Sequence, residues 1–286
     1  MKFTKMQGCG NDYIYVNCFE EQVEYAGETA KRLSHRHFGI GGDGLILIGP
    51  SRTADFLMTM YNADGSLGAM CGNGIRCLGK YVYDKGLTDK TELLVETKAG
   101  VKRLKLKLSK GKVKTVGVDM GVPKLLAREI PAEAVPGISI DPEKRIQELP
   151  LEILGNTYQV TCVSMGNPHA VVFLTPGEQQ AEALNLWTLG PAFESHPMFP
   201  DRVNVEFAQV LDQGHIKMRV WERGTGETFA CGTGACAAAV AGSLTGRTAD
   251  SVVVETTGGS LLVWLEGEAP RVWMEGPAVT VFEGEV

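Results

Sequence analysis

The sequence lacks the features of membrane, secreted and nucleic-acid-binding proteins. No apolar run is long enough to span a membrane, and the first letters, MKFTKMQGCGND, lack the apolar core of a signal peptide. The net charge is -6, and the lysines between 102 and 114 alternate as on the wet face of a hairpin rather than forming a basic surface. We therefore expect a globular cytoplasmic protein with no nucleic-acid or membrane partner.

The cysteines lack the spacings of a disulfide scaffold or a zinc site. There are seven, an odd number, and no two stand in a CxxC arrangement. Thiols of a cytosolic protein stay reduced, so most of these residues are expected in the core or its walls. No metal is expected, and no lysine motif suggests a pyridoxal Schiff base, so we expect a site without a cofactor.

Length and glycine content favour two strand-rich domains. The chain has 286 residues and is 44% hydrophobic, enough for a substantial core and two domains of ordinary size. Glycine occurs 35 times, which indicates many tight turns and close backbone approaches. Such a composition suits sites built from main-chain donors.

The sequence repeats itself at an offset of roughly 160 residues. Four pairs of landmarks occur in the same order in both halves: Gly10-Asn11 and Gly166-Asn167, Asn62 and Glu222, CGNG at 71–74 and CGTG at 231–234, VETKAG at 95–100 and VETTGG at 254–259. We therefore predict a duplicated domain. The expected halves are residues 1–117 plus 275–286, carrying Cys71, and residues 118–274, carrying Cys231, with the stretch 122–150 as a bridge.

Alternating apolar patterns predict strands at 55–62, 203–212 and 215–223. Helices are expected at only four places, namely 27–37, 72–84, 179–189 and 232–244. The predicted fold class is α+β, with two pseudo-symmetric strand-rich domains.

The two Cys-Gly-x-Gly phrases carry the chemistry. Cys71 and Cys231 each precede a helix-like stretch, where the positive end of the helix dipole lowers the pKa of a thiol. Two neighbouring thiols would share one proton over a range of pH, because two thiolates repel. One sulfur could then remove a proton from a carbon while the other delivers one to the opposite face. Either motif alone is better explained by a buried cysteine capping a core helix; the duplication favours function.

The bare N–H groups of Gly72, Asn73, Gly232 and Thr233 could hold a carboxylate next to the reacting carbon. Polar residues at strand ends and in loops offer the donors and acceptors that an amino-acid head group needs: Asn11, Asn62, Asn167, Asn204, Glu222 and Arg223. His169 could bias the ionisation of a thiol. Taken singly, each of these residues could equally cap a turn, pair on the surface or serve a structural role.

Residues 39–44 match the pattern GxGxxG of dinucleotide-binding folds, with Asp64 in the position of a ribose-binding acid. The glycines follow a helix-like stretch and enter a strand, which is the reverse of the order those folds require. A tight glycine turn is the preferred interpretation.

Several phrases resemble diaminopimelate epimerases over nearly the whole chain. They are GNDYIYVN at 10–17, GIGGDGLI at 39–46, YNADGS at 61–66, CGNGIRC at 71–77, MGNPHAV at 165–171, RVNVEF at 202–207 and WERGTGETFACGTGACA at 221–237. The last is highly specific because it couples Glu222 and Arg223 to the second cysteine. Two departures are Gly44, where some members carry a substrate-contacting glutamine, and Gln7 with Cys9, where His and Leu are common.

The resemblance implies two alike domains, each a barrel-like sheet around a central helix, with the site in a cleft, and commonly a homodimer. It implies that Cys71 and Cys231 are the catalytic thiols and that the six polar residues above contact diaminopimelate. Gly72, Asn73, Gly232 and Thr233 would cradle its carboxylate, while His169 and Glu222 would tune the thiols.

Two other functions stay open at this point. A proline racemase or hydroxyproline epimerase would share the fold and the thiols, but its compact substrate has one carboxylate, whereas Asn204, Glu222 and Arg223 suit a second amino-acid head. A thiol redox sensor would join Cys71 and Cys231 in a reversible disulfide.

Overall fold

The computed structural model describes residues 1–175 and 180–286. These residues divide into two compact units: Met1–Asp119 with Glu275–Val286 form unit 1, and Met120–Met274 form unit 2. Within the described ranges the structure is rich in strands and has four α-helices, so the predicted α+β class is confirmed. None of the described helices is both long and apolar enough to cross a membrane.

The first part of the chain supplies most of unit 1. Its elements are β1 (Lys2–Gly8), β2 (Asn11–Asn17), α1 (Ala26–Ser34), β3 (Gly44–Gly49), β4 (Phe56–Asn62), β5 (Leu67–Gly68), α2 (Gly72–Asp84), β6 (Glu92–Thr97), β7 (Gly100–Ser109) and β8 (Lys112–Gly121). The chain passes into unit 2 near the end of β8.

The following elements complete the fold. They are β9 (Leu149–Ile153), β10 (Asn156–Ser164), β11 (Pro168–Phe173), α3 (Leu186–Glu194), β12 (Asn204–Asp212), β13 (His215–Glu222), β14 (Gly226–Thr228), α4 (Gly232–Leu244), β15 (Ser251–Thr256), β16 (Gly259–Glu266), β17 (Arg271–Pro277) and β18 (Val279–Glu285). Single 3-10 turns lie at Ala127–Glu129 and Ala181–Ala183.

Both units use the same strand pairing. In unit 1 the order is β18-β1-β2-β3-β4-β6-β7-β8, in which β2–β3 and β4–β6 are parallel and the other pairs antiparallel. In unit 2 the order is β9-β10-β11-β12-β13-β15-β16, in which β11–β12 and β13–β15 are parallel. A parallel pair needs a crossover, and a helix supplies one in all four places. The sequence repeat is therefore also a repeat of topology.

The second helix of each unit packs inside its own sheet. Helix α4 is an alanine-rich helix, with Ala235, Ala237 and Ala241 fully buried, and it contacts strands β10 to β13, β15 and β16. Side chains this small let strands approach the helix from several sides. Helix α2 buries Ile75, Leu78 and Val82, which recur at helical spacing, and contacts β1, β2, β7 and β18. Both helices begin and end where the sequence predicts.

The other two predicted helices need correction. Helix α1 ends at Ser34 because His35 is already extended, with ψ 117°. The helix expected at 179–189 is wrong: a 3-10 turn is followed by α3 at Leu186–Glu194, and Gln179 lies outside the described residues. Gly190 of α3 is required by packing, since a Cβ there would lie 2.1 Å from Trp221 Cδ2.

The stretch 122–150, the expected bridge between the halves, packs into an apolar core cluster. Ala127, Ile130 and Ile146 are buried in the same apolar cluster as Leu186 and Phe193 of α3. This cluster supports the turn that follows β13, which belongs to the candidate site.

Candidate active site

Cys71 is the N-cap residue of α2. Its backbone is extended (φ -128°, ψ 121°), and its sulfur accepts a hydrogen bond from Gly74 N at 3.4 Å, as a capping side chain would. Gly72 and Asn73, the first helical residues, are buried. The half-buried thiol therefore lies at the positive end of the helix dipole.

Asn11 at the start of β2 is the predicted contact that reaches this thiol. Its Nδ2 donates to Asp43 Oδ2 at 2.6 Å, and its Oδ1 accepts from Cys71 Sγ at 3.0 Å. Asp43 therefore fixes which end of the amide faces the sulfur. Burial raises the pKa of Asp43, opposed by hydrogen bonds from Asp12 N and Asn11.

Asn62 lies at the end of β4 and bonds locally. Its backbone N–H donates to Ser66 O at 2.9 Å, and its Nδ2 donates to Ser66 Oγ at 3.0 Å. These bonds close the turn after β4. The structure joins Asn11 to the thiol of unit 1 and shows Asn62 engaged with Ser66 instead.

Cys231 is the N-cap residue of α4, with nearly the same backbone angles (φ -113°, ψ 114°). It is 6% exposed, and its Sγ lies 3.4 Å from Thr233 Oγ1. Burial, followed by the charges of Glu222 and Glu206, raises the pKa of this thiol well above its usual range, and the Thr233 hydrogen bond opposes the shift. The expected lowering of the pKa by the helix start is therefore wrong for Cys231, because desolvation and two acids outweigh the dipole.

Glu222, the last residue of β13, lies beside this thiol. Its Oε1 accepts from Thr228 Oγ1 at 2.5 Å. Burial raises the pKa of Glu222, while hydrogen bonds from Thr228 and Cys231 oppose that rise. A carboxyl group next to a thiol can exchange a proton with it.

The remaining predicted residues of unit 2 form two groups. Asn204 links two loops: its Nδ2 donates to Pro168 O at 2.8 Å, and its Oδ1 accepts from Arg223 N at 2.9 Å. The guanidinium of Arg223 donates to Asp201 O at 2.8 Å. The peptide amide of Arg223 is thus held by Asn204, which fixes the turn between β13 and β14.

The second group leads from a buried histidine to the helix start. His169 Nε2 lies 3.1 Å from Asn167 Oδ1, and Asn167 Nδ2 donates to Thr233 Oγ1 at 3.2 Å. Thr233 and Gly232 are the first residues of α4. His169 therefore reaches Cys231 through two intervening side chains rather than directly.

Three acids that form this environment were not predicted. Asp43 orients Asn11, Glu206 pairs with His169 at 2.7 Å, and Glu194 accepts hydrogen bonds around the Arg223 turn. Glu206 carried no signal of this role, since it occupies a polar position of the alternating pattern that begins at 203. Asp43 lies in a glycine-rich segment and Glu194 in a segment with a loop-like sequence, and acidic residues are common in both kinds of segment.

Residues 39–44 form a tight turn before β3, as expected. Gly41 has φ +80°, and a Cβ at Gly44 would lie 2.1 Å from Tyr61 O and 2.8 Å from Tyr13 Cε1. Position 44 therefore has no room for a side chain such as glutamine unless the backbone shifts.

Comparison with known proteins gives the same assignment along the whole chain. The family model described as diaminopimelate epimerase matches residues 3–126 and 161–281. The diaminopimelate epimerase of Acetivibrio thermocellus is 53% identical over 100% of this chain and 98% of its own length. That of Desulfovibrio desulfuricans is 51% identical over 100% and 98%.

Similarity of fold extends further than similarity of sequence. The crystal structure of a probable proline racemase from Agrobacterium radiobacter K84 has a TM-score of 0.67, with 17% identity, over 100% of this chain and 92% of that one. Identity this low supports the fold alone, whereas the matches near 50% decide the family. This chain belongs to the diaminopimelate epimerase family, a family of isomerases.

Proposed function

We propose that this protein interconverts LL-2,6-diaminopimelate and meso-diaminopimelate without a cofactor, for lysine and peptidoglycan precursor synthesis, with Cys71 and Cys231 as its two acid-base groups. The supporting observation is the repetition of one local arrangement. In each unit a cysteine is the extended N-cap residue of a 13-residue helix inside a sheet of the same topology.

The proposed reaction removes the proton from the α-carbon on one face and returns a proton on the other. Negative charge then develops on the adjoining carboxylate, for which the N–H groups of Gly72, Asn73, Gly232 and Thr233 are the proposed binding groups. The raised pKa of Cys231 favours the thiol form before substrate binds, which is the form that delivers a proton. Glu222 is the proposed acceptor when Cys231 must act as the base.

The proposed substrate contacts are Asn11, Asn62, Asn167, Asn204, Glu222 and Arg223, with His169 and Glu222 tuning the thiols. A carboxylate and an ammonium at the distal end of the substrate would suit the guanidinium of Arg223 and the carboxyl of Glu222, which are consecutive residues at the end of β13. This second head group favours diaminopimelate over proline, which has a single carboxylate.

Incorporation of solvent deuterium tests the reaction. The protein is incubated with LL-diaminopimelate or L-proline in D2O with reductant present, and deuterium at the α-carbon is measured with the ratio of stereoisomers. We expect label and epimerisation with diaminopimelate only. Exchange into proline alone would overturn the proposed substrate.

Single alanine variants test the two-thiol mechanism. Cys71→Ala and Cys231→Ala should each abolish epimerisation. Cys236→Ala is the matched control, because Cys236 is a fully buried residue of α4 among alanines and has no proposed role. Epimerisation that survives the loss of either Cys71 or Cys231 would refute the mechanism.

We further propose that the protein is a cytoplasmic homodimer, as its family resemblance implies. Strand β18 supports a partner surface, since Val279, Val281 and Phe282 are 42, 54 and 46% exposed. Sedimentation equilibrium tests this point, and a monomer at all concentrations would contradict it.

A further inference from the structure

Glu206 of β12 is a fully buried acid that the proposed proton transfers do not use. Its side chain and that of His169 are both 0% exposed, and Glu206 Oε1 lies 2.7 Å from His169 Nδ1. The other oxygen, Oε2, has no hydrogen-bond partner among the described residues. A buried carboxylate with an oxygen left bare is costly unless a cation or a proton compensates it.

One proton shared by the pair meets that requirement. If the proton is on His169, an imidazolium faces a carboxylate. If it is on Glu206, the carboxylic acid donates to Nδ1, and the neutral ring carries its hydrogen on Nε2. Both distributions leave His169 Nε2 as a donor.

This donor sets the direction of the hydrogen bonds that follow. Nε2 donates to Asn167 Oδ1 at 3.1 Å, which leaves the amide Nδ2 to donate to Thr233 Oγ1 at 3.2 Å. The Thr233 oxygen is thereby an acceptor for Asn167. Its own hydrogen is left for Cys231 Sγ, 3.4 Å away.

We propose that Glu206 is a positioning residue that, through His169, Asn167 and Thr233, directs a hydrogen-bond donor at the sulfur of Cys231. This inference rests on the proposed function of Cys231 as an acid-base group. It assigns a purpose to a buried acid whose charge by itself would hinder ionisation of the thiol.

The groups that face Cys231 define what the hydrogen bond from Thr233 has to offset. Glu222 reaches the thiol from β13 and Glu206 from β12, and both raise its pKa in addition to burial. His169 of β11 lies against Glu206, and on β10 burial and then the charge of Glu206 raise the pKa of Cys162. The Thr233 hydroxyl is the polar side chain among these that favours the thiolate.

The variant Glu206→Gln removes the shared proton, and its amide can face His169 in two ways. If the glutamine nitrogen donates to Nδ1, Nε2 keeps its hydrogen and the order of donors is unchanged. If the glutamine oxygen accepts from Nδ1–H, Nε2 becomes an acceptor, the Asn167 amide turns to donate to it, and the Asn167 oxygen takes the hydrogen of Thr233. The total charge of the pair is zero in both cases, so the donor at the sulfur should be lost only in the second.

Alkylation of Cys231 by iodoacetamide, followed by mass spectrometry of its peptide at fixed pH, measures the result. If His169 Nε2 has lost its hydrogen in Glu206→Gln, we expect the rate to fall on the order of tenfold, as for a lost hydrogen bond to a charged group. If Nε2 has kept its hydrogen, the rate should equal that of the wild type, and a rate that does not follow the state of Nε2 would refute the proposal. The control is the same substitution in a Thr233→Val protein, which lacks the hydroxyl donor. There, adding Glu206→Gln should change the alkylation rate of Cys231 little. An equal slowing in both backgrounds, or a faster rate in Glu206→Gln, would overturn the proposal.

Nitrogen NMR of the histidine-labelled protein provides a test that needs no variant to fold. His169 Nε2 should carry a hydrogen in the wild-type protein, and its state in Glu206→Gln should agree with the alkylation rate of that variant. An unprotonated Nε2 in the wild-type protein would refute the inference. Neither measurement uses substrate, so a failure of the proposed epimerisation is seen separately, in the deuterium assay.

Discussion

Glu194 should stabilise the turn that carries Arg223 through two hydrogen bonds rather than through its ion pair. It is 8% exposed and lies at the end of α3. Its Oε2 accepts from Trp221 Nε1 at 2.7 Å, and its Oε1 accepts from Gly224 N at 2.8 Å. Arg202, whose side chain is 57% exposed, donates to Oε1 at 3.0 Å.

The expected cost follows from how well each partner is shielded from water. Glu194→Ala leaves the buried indole N–H without an acceptor, at about 1–3 kcal/mol, and removes the bond to the more exposed Gly224, at about 0.5–1.5 kcal/mol. We therefore expect a loss of roughly 2–4 kcal/mol in the free energy of unfolding. Arg202→Ala should cost less than about 1 kcal/mol, because an exposed ion pair contributes little. Glu194→Gln, which keeps one acceptor, should lie between them.

Urea denaturation of the three variants beside the wild type measures these differences. Because Gly224 directly follows Arg223, Glu194→Gln should also raise KM for diaminopimelate more than it lowers kcat. A loss in Arg202→Ala as large as that in Glu194→Ala would show that the ion pair, and not the two hydrogen bonds, stabilises the turn.

Two further predictions concern packing and pH. Gly44→Ala should destabilise the protein by about 1–3 kcal/mol, since its Cβ would lie 2.1 Å from Tyr61 O. Gly49→Ala, at the other end of β3, should be tolerated, because its Cβ would meet only a Cys18 side-chain atom at 3.9 Å. Thermal unfolding compares the two variants, and equal losses of stability would contradict this reasoning. The pKa of Glu222 is raised in the folded state, so its contribution to stability is present below its unfolded pKa of about 4.3 and is lost as pH rises through the folded value. Glu222→Gln should therefore gain stability relative to wild type from acidic to neutral pH in urea denaturation, and a relative loss would refute the assignment.

Local patterns in the sequence determined the elements that carry the thiols. The phrases CGNG and CGTG predict helix starts at Gly72 and Gly232, and α2 and α4 begin at these residues. The repeated landmarks predicted a duplication, and the strand pairing of unit 1 is repeated in unit 2. This information lies within a few residues of each site, because glycine freedom, capping and apolar periodicity act over one or two turns of chain.

Tertiary structure decided the electrostatics of these thiols. The helix dipole alone predicts a lowered pKa for Cys231, but burial and the acids Glu222 and Glu206 raise it. Glu206 meets His169 across 37 residues of sequence, and Asn11 meets Asp43 across 32, through strand pairings that no local pattern specifies. The pKa of a thiol depends on the water and charges removed from or added to its surroundings, and those surroundings exist only once distant strands have paired.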